Sequence, residues 1–126
     1  MVRLVVGERG RVAMCGQLVI RFGYGAIVPW VTRLDDGTLR AVAGPDMVVL
    51  RTPVDLTGQN MKTISEFEVA AGERVPFVLT YAPSHLPPPQ PVGADIGARG
   101  HRRFLDELVR RIAGPPDTAP TRSCAR

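Results

Sequence analysis

A chain of 126 residues, 44% apolar and 22% charged, is long enough for one globular domain and too short for two of ordinary size. It excludes a large multidomain enzyme, and with no apolar run near about 18 residues it excludes a membrane-spanning helix. The net charge of +4 is not spread evenly: residues 1–98 carry nine basic and nine acidic side chains, whereas residues 99–126 set seven arginines against Asp106, Glu107 and Asp117. A neutral body with a basic appendage lacks the broad positive surface a polyanion needs, so nucleic acid is not an expected partner. Fifteen of the sixteen basic residues are Arg and only Lys62 is Lys, a skew that fits GC-rich coding. The opening apolar stretch is cut by Arg3 and is too short for a secretory signal. Cys15 and Cys124 form no disulfide framework and no metal-ligand spacing, so a reduced, cytoplasmic protein is expected.

Along the chain, short apolar runs alternate with turn residues. Val2 to Val6 closes at Gly7-Glu8-Arg9-Gly10, and Arg11 to Phe22 ends in Gly23-Tyr24-Gly25. Ile27 to Leu34 and Thr38 to Ala43 flank Asp35-Asp36-Gly37; Asp-Gly predicts a tight hairpin turn with positive φ at both central residues. Gly44-Pro45-Asp46 turns into Met47 to Thr52, and a loop passes through Gly58-Gln59-Asn60. Lys62 to Ala70 and Arg74 to Tyr81 follow, joined by Ala71-Gly72-Glu73. About seven strands with turns every 8–12 residues predict an all-β fold, a partial antiparallel β-sandwich over residues 1–82. Within Thr63 to Val69, Ser65, Phe67 and Val69 share one face and Ile64, Glu66 and Glu68 the other. Pro76, lacking an amide donor, belongs at an edge, a strand start or a bulge, and Pro29 limits the third strand in the same way.

The composition then breaks. Residues 83–98, with Pro83, Pro87, Pro88, Pro89 and Pro91, predict a semi-rigid linker that cannot pair in a sheet. Within residues 99–114, Phe104, Leu105, Leu108, Val109 and Ile112 line one face of an amphipathic basic helix, which Gly114-Pro115-Pro116 stops. Residues 115–126 have the composition of a disordered tail.

Reactive constellations are scarce. No phosphate-binding glycine loop occurs, no cofactor is implied, and His85 and His101 have no Cys or carboxylate at ligand spacing, so no metal site is assigned. Glu66 and Glu68, two apart on a strand, would lie about 7 Å apart, within the window for an inverting glycosidase. A solvated sheet face accounts for the same pair, and no catalytic residue is assigned. Trp30 and Tyr24, with Phe22 nearby, are candidates for stacking on a sugar ring; the competing assignment puts Phe22 and Trp30 in the core. The Arg-rich amphipathic segment reads as a solvated, marginal helix rather than a nucleic-acid or membrane contact.

Several segments together are familiar. Arg21-Phe22-Gly23-Tyr24-Gly25, Ile27-Val28-Pro29-Trp30-Val31, Ala43-Gly44-Pro45-Asp46, Val49-Leu50-Arg51-Thr52-Pro53, Glu66 to Phe77 and Pro83-Ser84-His85 resemble, in order and spacing, the amino-terminal β domain of bacterial glycoside hydrolase family 15 proteins, the glucoamylase-like and trehalase-like enzymes. The resemblance covers roughly residues 1–92. It implies a β-sandwich packed ahead of an (α/α)6 barrel, in which two glutamates of the barrel hydrolyse α-glucosidic bonds with inversion. No segment here resembles that barrel, so neither glutamate has a counterpart in this chain.

The family domain also starts before the segment that matches Val2. The resemblance therefore implies a non-catalytic interior fragment, with the barrel as its natural partner, contact with trehalose or an α-glucan as a possibility, and self-association when alone. The family continues past its prolines into Phe-Trp-x-x-Trp. Read one base later, codons compatible with Gly100 to Val109 can encode Ala-Thr-Asp-Ala-Phe-Trp-Thr-Ser-Trp-Ser, so a frameshifted tail is expected ahead of an evolved basic helix.

Overall fold

The structure, a computed structural model, describes residues 1–90. The expected helix at 99–114, the tail at 115–126 and all but the start of the linker lie outside the described residues. Eight antiparallel strands are present: β1 (Val2–Val6), β2 (Arg11–Leu18), β3 (Trp30–Arg33), β4 (Leu39–Ala43), β5 (Asp46–Arg51), β6 (Leu56–Gln59), β7 (Lys62–Ala70) and β8 (Arg74–Pro83). They form a five-stranded sheet in the order β1-β8-β5-β4-β3 and a three-stranded sheet in the order β2-β7-β6. The all-β, sandwich-like class read from the sequence is the class found. The strand missed by that reading is β6, whose Leu56-Thr57-Gly58-Gln59 carries one apolar residue and a glycine and so shows no alternation.

Two strands pass from one sheet to the other side by side. β1 pairs with β8 up to Val6↔Arg74, and β2 pairs with β7 from Arg11↔Ala70. Four residues, Gly7 to Gly10, therefore bend against three, Ala71 to Glu73, which is a one-residue bulge at a sheet corner. Backbone bonds span the bend: the Gly7 amide donates to the Glu73 carbonyl at 2.9 Å, Gly72 to Gly7 at 2.8 Å and Ala71 to Gly10 at 2.9 Å. The Glu73 carboxylate accepts from the Ala70 amide at 2.8 Å. A Cβ at Gly7 would fall on the Ala70 carbonyl oxygen, so no other residue fits there without moving the partner backbone.

The bend lays the small sheet over one face of the large one. Leu39, Leu50 and Leu56 are buried between them, with Leu18, Phe77 and Leu79 packed against the cluster. The rings of Phe67 and Phe77 meet across the layers with centroids 5.6 Å apart. Each such buried leucine stabilises the fold by about 1.5–3 kcal/mol relative to exposure. The alternation read in β7 holds: Thr63, Ser65 and Val69 are buried, Phe67 is half-buried, and Glu66 and Glu68 are exposed. The opposite face of the large sheet carries its own cluster of Met47, Val49 and Ala82, with Val42 beside it.

The turns follow local chemistry, with one difference from expectation. Between β3 and β4, the Leu34 amide bonds to Thr38 O at 2.8 Å and the Gly37 amide to Leu34 O at 2.9 Å. Only Gly37 takes a positive φ, 80°. This is a three-residue loop, a tight turn followed by a left-handed glycine, rather than a two-residue turn with two positive values. The reason is visible in Asp36, whose carboxylate accepts the Thr38 amide at 2.9 Å and favours the longer form.

Asn60 and Met61 connect β6 to β7 with φ of 49° and 59°, the two-residue primed turn. Pro76 lies in β8 where only β1 pairs with it, because the β5 ladder begins at Val78; the missing donor is tolerated there. Pro83 is the last residue of β8 and stands in register with Asp46, so the linker expected from 83 begins one residue later.

Gly7→Ala is expected to lose on the order of 3 kcal/mol or more, because the added carbon displaces buried backbone; urea unfolding followed by circular dichroism measures it. Met61→Gly relieves about 1 kcal/mol of left-handed strain, part of it returned as backbone entropy, and raises the thermal midpoint.

Candidate functional site

The two sheets do not close on each other everywhere. Between them lies a cleft of about 320 Å³, walled by Met14, Leu18, Leu50, Phe67, Phe77 and Leu79. Met1, just ahead of β1, Arg3 and Val5 of β1, and the segment Met14 to Leu18 of β2 border it on the side where both sheets end in an edge strand. Thr63, Ser65, Gln17 and Arg3 add polar atoms, and among the described residues no carboxylate or imidazole lines it. Such a wedge can hold apolar groups and has no pair of groups for acid–base chemistry. No cluster of three or more metal-ligating side chains occurs among the described residues.

The structure separates the residues singled out in the sequence. Trp30 opens β3, the outer strand of the large sheet, opposite Val42, and is 77% exposed. It is not a core residue, contrary to the competing assignment, because the edge leaves its side chain no layer to pack under. Phe22 is half-buried. Tyr24 is fully exposed at the tip of the loop that Phe22 and Ile27 close by bonds of 2.9 and 3.0 Å, and its own φ is 55°. None of these three rings stacks on another aromatic among the described residues, where the ring pair is Phe67 with Phe77.

Glu66 and Glu68 face solvent on the outer side of β7, opposite Cys15 and Ala13. Glu68 forms an exposed ion pair with Arg11 at 3.2 Å. Among the described residues, neither lines the cleft of about 320 Å³ or the cavity between Leu18 and Met61. His85 is exposed in the exit segment and Cys15 is exposed on β2; His101 and Cys124 lie outside the described residues.

Sequence reasoning passed over the most polar interior region, on the far face of the large sheet. Arg51, only 5% exposed, donates from Nη2 to the Pro89 carbonyl at 2.6 Å. Burial pushes its pKa below the usual guanidinium range, while the nearby Asp36 carboxylate opposes that shift. The four buried side-chain atoms without a hydrogen-bond partner among the described residues are Thr32 Oγ1, Thr38 Oγ1, Arg40 Nε and Arg51 Nε. Register explains their proximity: Thr32 pairs with Arg40, Arg40 with Val49, and Thr38 continues the ladder beside Arg51. The signal available in the sequence was an arginine closing the apolar run Met47 to Leu50.

Arg51 and Ser84 together fix where the chain leaves the sheet. Ser84 donates from Oγ to the Gly44 carbonyl at 2.6 Å and from its amide to the Pro45 carbonyl at 2.8 Å. At the same end, the Tyr81 hydroxyl donates to Asp46 Oδ1 at 2.6 Å, a bond that raises the phenol pKa.

No protein-family model, no curated protein and no solved structure matches the chain. Among the described residues no helix is long and apolar enough to cross a membrane.

Arg51→Ala removes a charge-assisted bond of about 1.5–3 kcal/mol and frees the exit segment. Hydrogen exchange should quicken at the Ser84 and Leu86 amides, while the amides of the strands up to Pro83 keep their protection.

Proposed function

We propose that this chain is a non-catalytic β-sandwich piece of a glucoamylase-like or trehalase-like glycoside hydrolase, a scaffold that braces an (α/α)6 barrel in which α-glucosidic bonds are hydrolysed with inversion. One observation carries the reading: the segments that resemble the family serve as architecture. Ala43-Gly44-Pro45-Asp46 is the β4–β5 turn, and the run from Glu66 to Phe77 holds the sheet corner. Ser84 ties the exit to that same β4–β5 turn. Residues that share a family's pattern and do structural work point to a shared scaffold, with the chemistry elsewhere. The apolar cleft beside two uncovered edge strands supports the same reading, since a bracing module needs a surface for its partner. Its setting would be the cytoplasm, with no cofactor and no metal.

A second reading, a carbohydrate-binding module, is favoured by Trp30, 77% exposed on an outer strand, and by the bare ring of Tyr24. A flat aromatic face with no protein neighbour can stack on a pyranose ring.

The chain is expected to form a one-to-one complex with a separately produced barrel of a trehalase-like family 15 enzyme that lacks its own β domain. Calorimetry and hydrogen exchange, with slowing at Leu18, Phe67 and Phe77, would report it. Alone, the chain should release no glucose from maltose or trehalose; release that vanishes in Glu66→Gln would overturn the scaffold reading. Because Trp30 is the single tryptophan, saturable quenching by maltose, trehalose or a longer α-glucan, lost in Tyr24→Ala, would establish the binding module instead.

A further inference from the structure

Two strand edges and the border of the cleft lie along one side of the molecule. β1 ends the large sheet and β2 ends the small one, and both contribute to the lining between them. β2 is the longer, eight residues against five, and of its residues only Gly16 and Leu18 are even half-buried. Val12 is 55% and Met14 38% exposed. The usual protections of a free edge are missing: β2 has no proline, and its one charge, Arg11, sits at the end and is held by Glu68.

The direction of the free backbone groups can be derived. The Ala71 amide donates to the Gly10 carbonyl, so the peptide that follows Gly10 points its N–H away from β7. The two-residue turn from Gln59 to Lys62 gives the same parity from the other side of β7. The N–H and C=O groups of Arg11, Ala13, Cys15 and Gln17 therefore face outward. The side chains of Val12, Met14 and Leu18 point toward the large sheet, with those of Val69, Phe67 and Thr63, and Gly16 faces the same way beside Ser65.

We propose that β2 is a homodimerisation edge: two copies of this chain pair antiparallel through it about a two-fold axis at Cys15, joining their small sheets into one of six strands. In this register Cys15 pairs with Cys15 of the second copy and Ala13 with Gln17, which are the residues with outward groups. On the inner face Met14 meets Gly16 and Val12 meets Leu18, a large residue against a small one and apolar against apolar. A register centred on Met14 would bring two methionines head to head. The span Val12 to Gln17 is uncharged, so a second copy meets no like charge. The same axis brings the two clefts face to face and shields their apolar walls; the uncharged, self-complementary register selects a second copy, which would compete with a docked barrel for this edge. The inference rests on edge geometry alone and stands whether or not the hydrolase reading does.

Light scattering on the full chain should give a dimer at high concentration that dissociates on dilution. In a Cys124→Ser background, a short bismaleimide should link two copies through Cys15, whose α-carbons are about 5.5 Å apart in such a pair. Ala13→Pro removes an outward donor and should weaken the dimer roughly tenfold or more while circular dichroism keeps its strand signal. Val12→Lys, at a position already half open to solvent, provides the same test if the proline variant fails to fold, because it sets a charge against the apolar Leu18 of the second copy. A monomer at every concentration, an open-ended series of larger oligomers, a dimer that both folded variants leave intact, or no Cys15 linkage would each overturn the proposal.

Discussion

The close approach of Gly7 to the Ala70 carbonyl is the constraint on which the rest of the architecture hangs. Two neighbouring strands leave one sheet and enter the other at the same place, and their backbone bonds continue through the bend. A side chain at position 7 would force the two chains apart and break that continuity. Because one chain spends four residues and the other three, the corner also offsets the register of the two ladders by one residue. That offset sets which faces of β2 and β7 turn inward, and so decides that Leu18 packs with Leu50, Phe77 and Leu79 and that Thr63, Ser65 and Val69 are buried.

From this corner the sheets diverge, and the divergence has chemical consequences. Near the crossing of β5 and β6 the layers touch through three buried leucines. Along β1 and β2 they leave an apolar wedge with no partner layer among the described residues. Glu66 and Glu68 lie on the outer surface where water screens them, as the exposed Arg11–Glu68 pair illustrates. Among the described residues the buried charged side chain is Arg51, which holds the exit segment through the Pro89 carbonyl. The exposed apolar opening is the common element of the scaffold and self-pairing proposals.

Much of this was legible in the residues. Strand positions followed from β-branched runs and turn dipeptides, and the facing of Ser65, Phe67, Val69, Glu66 and Glu68 followed from simple alternation. The reading erred where local signals were weak or ambiguous. β6 was passed over because Thr57, Gly58 and Gln59 carry no apolar rhythm; only pairing with β7 makes them a strand. Trp30 was a reasonable core candidate by size, yet its strand ends the sheet and leaves it bare. Arg51 gave no warning of burial, since nothing in Leu50-Arg51-Thr52 says that the Pro89 carbonyl, 38 residues on, will return to accept its hydrogen bond.

By itself the sequence determined the class of the fold, the turns at Gly37, Gly44 and Gly72, the two-faced character of β7, and the lack of any compact catalytic motif. All of these are properties of near neighbours, governed by φ preference and by the two-residue period of a strand. The tertiary structure alone decided that Ala71-Gly72-Glu73 is a passage between sheets rather than a hairpin, that the cleft stays open beside β1 and β2, and that the aromatic candidates lie apart. These depend on which distant strands pair and in what register, and a chain read locally does not contain that information.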